Sequence, residues 1–273
     1  MTGLARTPLT LLYAPADRPD LVRKAIAGSA DVVSIDLEDA VAPAHKPAAR
    51  AGLADLIRGA DRPIRVRINA VDTPWHADDV AAVVALPADI GVIVPKAERP
   101  DLVAQLAAAL PGRALHLLLE SALGVEAASA LARVAGVATI GLGEADLRAD
   151  LGCEEPGLAY ARGRVVVAAR AAGLPAPVMS VHPDIRDLDG LAASCRAGRA
   201  LGFLGRSAIH PGQLAVIRDA FAPTDDEVSR ARATLERFDA AQRDGRGALA
   251  MPDGSFVDEA VIRRARVIAG LAG

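Results

Sequence analysis

Five charged residues of this 273-residue chain, Glu38, Arg67, Lys96, Glu120 and Asp146, stand at or just past the ends of separate apolar runs. Glu120 and Asp146 lie 26 positions apart, about one β/α/β unit, each at the exit of its own run. Two carboxylates with no His or Cys nearby suit a hard divalent cation such as Mg2+, which takes one or two protein carboxylates plus water and substrate oxygens. The competing reading makes each acid a helix cap or a partner of Arg67, and Glu144 is a rival ligand to Asp146. Arg67, inside the run RVRIN, needs a carboxylate partner if it projects from a buried strand. A substrate carboxylate held bidentately would serve, as would Glu38 or Glu120. Arg65 is expected to point outward. Asp36, Glu38 and Asp39 repel one another unless cations sit among them, and Arg67, Lys46, Arg50 or a metal could supply the charge. Lys96 is one of three lysines against 28 arginines, so a Schiff-base lysine is one reading and a salt bridge to Glu98 or Glu38 the other. His182 and His210 read as hydrogen-bonding groups that fix loops.

The runs that would carry these residues are TLLYAPADR (10–18), VVSIDLED (32–39), IRVRIN (64–69), GVIVPKAE (91–98), LHLLLES (115–121) and TIGLGEAD (139–146). They are near-continuously apolar, as in a parallel sheet buried on both faces. Helical patterns separate them, over 19–30, 47–60, 75–88, 100–112, 123–136 and 158–173. A seventh strand is expected at 178–185, a helix at 187–202 and a short eighth strand at 207–211. Eight alternating β/α units predict a TIM (β/α)8 barrel, in which strand C-termini converge on one mouth. Residues 1–222 would form that barrel. Residues 223–273 would form a C-terminal helical extension: a polar helix over 223–245 with an acidic first turn, a turn at Asp253-Gly254, and a final helix. This arm either covers the barrel or packs on a neighbouring subunit.

Composition narrows the function. A net charge of −3, from 31 basic and 34 acidic residues, offers no excess of cations for nucleic acid. No window has the roughly 18 uninterrupted apolar residues of a membrane span. Two cysteines match no metal or redox spacing, and the N-terminal stretch is not a secretory signal, so a cytoplasmic setting is expected.

The motifs PADRP (15–19), DLEDAV (36–41), VRIN (66–69), VPKAE (94–98), LLES (118–121), GEADL (143–147) and IHPGQ (209–213) together resemble the citrate lyase beta-chain family, which includes malyl-CoA and citramalyl-CoA lyases. The resemblance implies Mg2+ dependence and cleavage of a 3-hydroxyacyl thioester of CoA or a carrier protein to an acetyl thioester and a 2-keto acid. It implies Glu120 and Asp146 as metal ligands and Arg67, with Glu38 and Asp258, as catalytic groups. Asp258, in GSFVD, would reach a neighbouring subunit's mouth. Gly143, Glu144 and Ala145 would hold the keto-acid carboxylate, with Pro15 and Lys96 beside the substrate. Arg18 and Arg206 would face the thioester carrier, and Arg206 stands where the family commonly has Lys. Homotrimers or hexamers are implied, with carrier-protein and transferase chains as further partners in a citrate lyase complex. The rivals are a metal-dependent aldolase acting on free keto acids, a Schiff-base aldolase and a non-catalytic scaffold subunit.

Overall fold

The computed structural model describes residues 8–243, 249–250 and 256–271. The chain divides into two compact units, Met1–Phe221 and Ala222–Gly273.

In the first unit, strands β1 (Thr10–Pro15), β2 (Val32–Asp36), β3 (Ile64–Arg67), β4 (Gly91–Val94), β5 (Leu115–Leu119), β6 (Val137–Leu142) and β7 (Arg206–Ala208) form one sheet in the order β6-β5-β4-β3-β2-β1-β7. Every pair is parallel. Helices α1 (Pro19–Ala27), α2 (Lys46–Ala51), α3 (Leu53–Ile57), α4 (His76–Val84), α5 (Pro100–Ala109), α6 (Ala122–Leu131), α7 (Glu144–Leu151), α8 (Ala159–Ala171), α9 (Leu188–Leu201) and α10 (Leu214–Phe221) lie between and after the strands. The result is an α/β fold whose seven-stranded parallel sheet is consistent with a TIM-like barrel. Strands β2 and β4 are buried at every position because both sheet faces are covered, which is why they read as unbroken apolar runs. The helix expected over 47–60 is instead α2 and α3, separated at Gly52.

The expected seventh strand, 178–185, is reduced to a single bridge between Met179 and Arg206. Pro175, Pro177 and Pro183 withhold ladder N–H groups there. Backbone bonds still tie the segment to β7: Met179 N to Gly205 O at 3.0 Å and Ser207 N to Met179 O at 3.0 Å. At the opposite end of the strands from the mouth, buried Arg113 donates to the carbonyls of Pro87, Ile90, Val84 and Leu86, closing the loop between α4 and β4.

The second unit holds α11 (Asp225–Arg243), the antiparallel pair β8 (Leu249–Ala250) and β9 (Phe256–Val257), and α12 (Glu259–Leu271). Phe238, Val257 and Ile262 form its small core. The turn expected at Asp253-Gly254 lies outside the described residues. No helix among the described residues is long and apolar enough to cross a membrane.

Candidate active site

Parallel pairing brings the strand exits together. Asp36, the last residue of β2, is in register with Arg67, the last of β3. The pairing is bidentate: Arg67 Nε donates to Asp36 Oδ1 at 2.7 Å and Nη2 to Oδ2 at 2.6 Å. Arg67 Nη1 lies 3.0 Å from Glu38 Oε2, and the guanidinium stacks over the Tyr13 ring at 5.0 Å. Burial alone would lower the Arg67 pKa, but the Asp36 and Glu38 carboxylates outweigh it and keep the guanidinium charged. Asp36 accepts further bonds from the Glu38 and Ala40 backbone N–H groups, so one buried carboxylate orients both Arg67 and the loop that carries Glu38.

Lys96 sits where the acids converge. Its Nζ is 2.7 Å from Glu38 Oε1 and 3.8 Å from both Glu120 Oε2 and Asp146 Oδ2. Its backbone takes a positive φ of 50°, and its N–H donates to Glu120 Oε2 at 2.9 Å. Glu120 is thereby fixed by the turn after β4. Burial, then the nearby charges of Glu38 and Asp146 against the opposing Lys96, push the Glu120 pKa up to about 7. Burial also raises Glu38, with Arg67 pulling the other way. Glu38 Oε2 is a buried acceptor that receives no hydrogen bond. This mouth is an acid-rich pocket whose charge one ammonium and one guanidinium only partly balance.

Glu144 and Asp146 have different partners. Both Glu144 oxygens accept from Arg162 of α8, at 2.8 and 2.9 Å. Asp146, half exposed at 49%, reaches toward Lys96. Gly143 precedes α7, and Glu144 and Ala145 open its first turn. Gly143 must lack a side chain, because an added Cβ would stand 2.6 Å from Glu120 Cγ and closer still to Oε1.

Pro15 ends β1 opposite Asp36. Arg18 is exposed just before α1 and pairs with Asp20 at 3.3 Å. Arg206 is at the first residue of β7, the end away from the strand exits, and is 3% exposed. Its Nη1 donates to Ser194 of α9 at 2.9 Å. The expectation that it faces a thioester carrier is therefore corrected, since its head is packed under α9. Arg65 is also corrected. Residues two apart on a strand share a face, so Arg65 lies on the same side as Arg67, while Ile64 and Val66 between and beside them are buried on the other. Lys96 is an ion-pair centre, as its salt-bridge reading expected, and its partner is Glu38 rather than Glu98. Asp258 caps α12, accepting from Ala260 N at 2.9 Å and Val261 N at 3.1 Å.

The profile of HpcH/HpaI aldolase/citrate lyase matches residues 9–211, which is most of the chain and every strand of the sheet. The chain belongs to the HpcH/HpaI aldolase/citrate lyase family. As a member of that family it is an enzyme of the lyase kind. Its relatives include a citrate lyase subunit beta-like protein of Deinococcus radiodurans, 37% identical over 95% of both chains. Another is a (3S)-malyl-CoA thioesterase of Cereibacter sphaeroides, 36% identical over 94% of this chain and 92% of the relative. The crystal structure of CitE from Mycobacterium tuberculosis in complex with magnesium, acetoacetate and coenzyme A superimposes with a TM-score of 0.85 at 36% identity. That match covers 98% of this chain and all of the other, 100%.

Further residues brace the mouth, Lys46 and Arg50 among them, which sequence reasoning offered as cations for the Asp36, Glu38 and Asp39 cluster. Lys46 Nζ donates to the Leu37 and Glu38 carbonyls at 2.7 and 2.6 Å and lies 5.0 Å from the Trp75 ring centroid. Buried Asp79 accepts from Asn69 N and Nδ2 and from Arg50 Nε, holding the VRIN turn after β3. Asp79, borne on a helix, is the residue missed, and it carries no local signal of such long-range contacts. The Asn closing VRIN is the one readable hint.

Proposed function

We propose that this chain is a Mg2+-dependent carbon–carbon lyase. Its substrate would be a 3-hydroxy-carboxyacyl thioester of the citryl, malyl or citramalyl kind. The products would be an acetyl thioester and a 2-keto acid such as oxaloacetate. The observation that carries this reading is the approach of Glu120 Oε2 and Asp146 Oδ2 to one cationic point beside Arg67, a point marked here by the Lys96 ammonium.

The residues present suit the metal in kind. Glu120 and Asp146 offer hard carboxylate oxygens that each lie 3.8 Å from the Lys96 ammonium, and Glu38 Oε2, ion-paired with Arg67 Nη1, lies nearby to accept from a coordinated water or the substrate hydroxyl. The magnesium in the CitE crystal structure supports the same choice. When bound by Glu120 and Asp146, Mg2+ would supply Lewis acidity to the oxygen on the carbon that becomes the ketone.

The chain's own residues supply the rest. Glu38 takes the hydroxyl proton as the alkoxide collapses to a carbonyl. The carbon–carbon bond breaks and its electron pair passes to the acetyl thioester as an enolate. Arg67, locked by Asp36, keeps N–H groups beyond those bonds to stabilise the enolate oxygen. The first-turn N–H groups of Glu144 and Ala145 bind the keto-acid carboxylate. Asp258, delivered by a neighbouring copy in a trimer or hexamer, protonates the acetyl carbon. In this reading the sheet closes as a (β/α)8 barrel, with the 177–179 segment as its eighth stave between β6 and β7. The nearness of Gly141 to the Val178 carbonyl, 3.4 Å from an added Cβ, supports that closure. Pro15 and Lys96 border the keto acid, and Arg18 is the exposed cation available to the CoA phosphates.

The thioesterase relative favours a second reading, hydrolysis of the thioester with the carbon skeleton left whole. One assay separates the two. Purified protein with Mg2+ is given malyl-, citramalyl- and citryl-CoA, and products are resolved by mass spectrometry. Acetyl-CoA with a keto acid is expected. Free CoA with intact hydroxy acid would establish the hydrolase, and no turnover of any ester would overturn both.

A further inference from the structure

Helix α8 is fastened on two sides. It buries Ala161, Val165, Ala168 and Ala169 in the core. Its Arg164 donates to Ser129 Oγ and to the Glu126 carbonyl of α6, at 3.0 and 3.2 Å. From this base Arg162 reaches α7. Its Nε and Nη2 donate to the two oxygens of Glu144 at 2.8 and 2.9 Å, and its Nη1 donates to Glu155 in the turn Glu155–Leu158 that joins the two helices. The Arg162 and Glu144 side chains are 12% and 11% exposed. A two-pronged pairing so screened from water holds its partner in one orientation, unlike an ion pair on the surface.

What it holds is the first turn of α7. Gly143 N donates to the Leu119 carbonyl at 3.1 Å, and a Cβ on Gly143 would collide with Glu120, so this turn opens beside the mouth. Gly143 supplies no side-chain cap, and the helix ladder begins with Leu147 N donating to the Gly143 carbonyl at 3.0 Å. The N–H groups ahead of Leu147 are left as donors. Glu144 sets a carboxylate on the same turn, where it opposes an incoming anion. The Arg162 guanidinium cancels that charge and fixes the peptide that carries it.

We propose that Arg162 is a positioning residue for the seat of the keto-acid carboxylate, acting through Glu144. The inference rests on the lyase reading above, and Arg162 itself touches no reacting atom.

The test uses the whole protein, loaded with Mg2+ and titrated with pyruvate by calorimetry, with the thermal midpoint of each variant recorded alongside. Arg162→Met should weaken pyruvate by at least about tenfold, the size of a lost bond to a charged group. Its Mg2+ affinity without pyruvate should stay unchanged. Arg162→Met/Glu144→Gln should recover most of the pyruvate affinity, because the exposed charge goes with the group that covered it. A merely structural pair would move the midpoint and leave pyruvate binding alone. Arg162→Lys keeps the charge but not the fork, and should also bind pyruvate more weakly. Wild-type pyruvate affinity in Arg162→Met, or in Arg162→Lys where the methionine variant does not fold, would overturn the positioning role alone. A double variant that binds no tighter than Arg162→Met would do the same. A wild type that binds Mg2+ but no pyruvate would instead overturn the lyase reading of the α7 turn, and this proposal with it.

Discussion

Glu120 occupies the space that a side chain on Gly143 would need. The β6 exit and the β5 exit can approach closely only because position 143 carries no Cβ. Gly143→Ala must push the Glu120 carboxylate aside. A displacement of about 1 Å in a reacting constellation costs roughly 100-fold in rate. The expected result is a loss of that order in kcat and weaker Mg2+ binding by calorimetry, with an unchanged circular dichroism spectrum.

Arg67 is both a catalytic candidate and the partner of a buried acid. Arg67→Ala should lower kcat by about 100- to 1,000-fold. It should also cost about 3–5 kcal/mol of stability, because Asp36 is left charged and unpaired. The double variant Arg67→Ala/Asp36→Asn should recover much of the stability in urea melts but none of the activity. Recovery of activity would remove Arg67 from the chemistry.

Lys96 is the ammonium that pairs with the carboxylates of Glu38, Glu120 and Asp146. Lys96→Met leaves three acids facing one another. The metal-free protein should melt lower than wild type, and saturating Mg2+ should raise its midpoint by more than it raises the wild type's. An equal Mg2+ shift in both proteins would show that the ammonium and the cation do not share this position.

His116 sets a pH dependence of folding. Its folded pKa, about 3, lies below the ordinary 6.5. The unfolded chain therefore takes up the proton first, so stability is full above pH 6.5 and is lost as pH falls toward 3. The loss from this group is on the order of 5 kcal/mol across that window. His116→Asn should flatten the decline between pH 6.5 and 4 in denaturant titrations.

Asp258 caps α12. Asparagine caps equally well, whereas alanine forfeits about 1 kcal/mol. Asp258→Asn should therefore match wild type in stability yet lose most thioester cleavage, if the carboxyl group carries the proton. Undiminished thioester cleavage in Asp258→Asn would remove Asp258 from the proton transfer.

How much of this was readable without coordinates depends on the range of the interaction. Glu38, Arg67, Lys96, Glu120 and Asp146 each end or follow an unbroken apolar run, and parallel topology obliges such ends to gather. The helix break at Gly52 and the shortened strand at Met179 were not readable in the same way. The first depends on two helices docking separately, and the second on prolines that leave the chain extended but bare of donors. Arg65 was misplaced although the two-residue period was in plain view. Its side chain shares the face of Arg67 yet stays partly exposed, so it finds water rather than a carboxylate. Arg162, Lys46 and Asp79 act across 18, 8 and 10 residues respectively, on bonds that only the folded chain brings within reach.

The four carbonyls gripped by Arg113 give the molecule an asymmetric response to acid. Carbonyl oxygens do not titrate, so the far end of the sheet keeps its fastening at any pH a cell meets. The mouth is built from carboxylates that do. Acidification should therefore act through the mouth and through His116, while the Arg113 fastening is left unchanged.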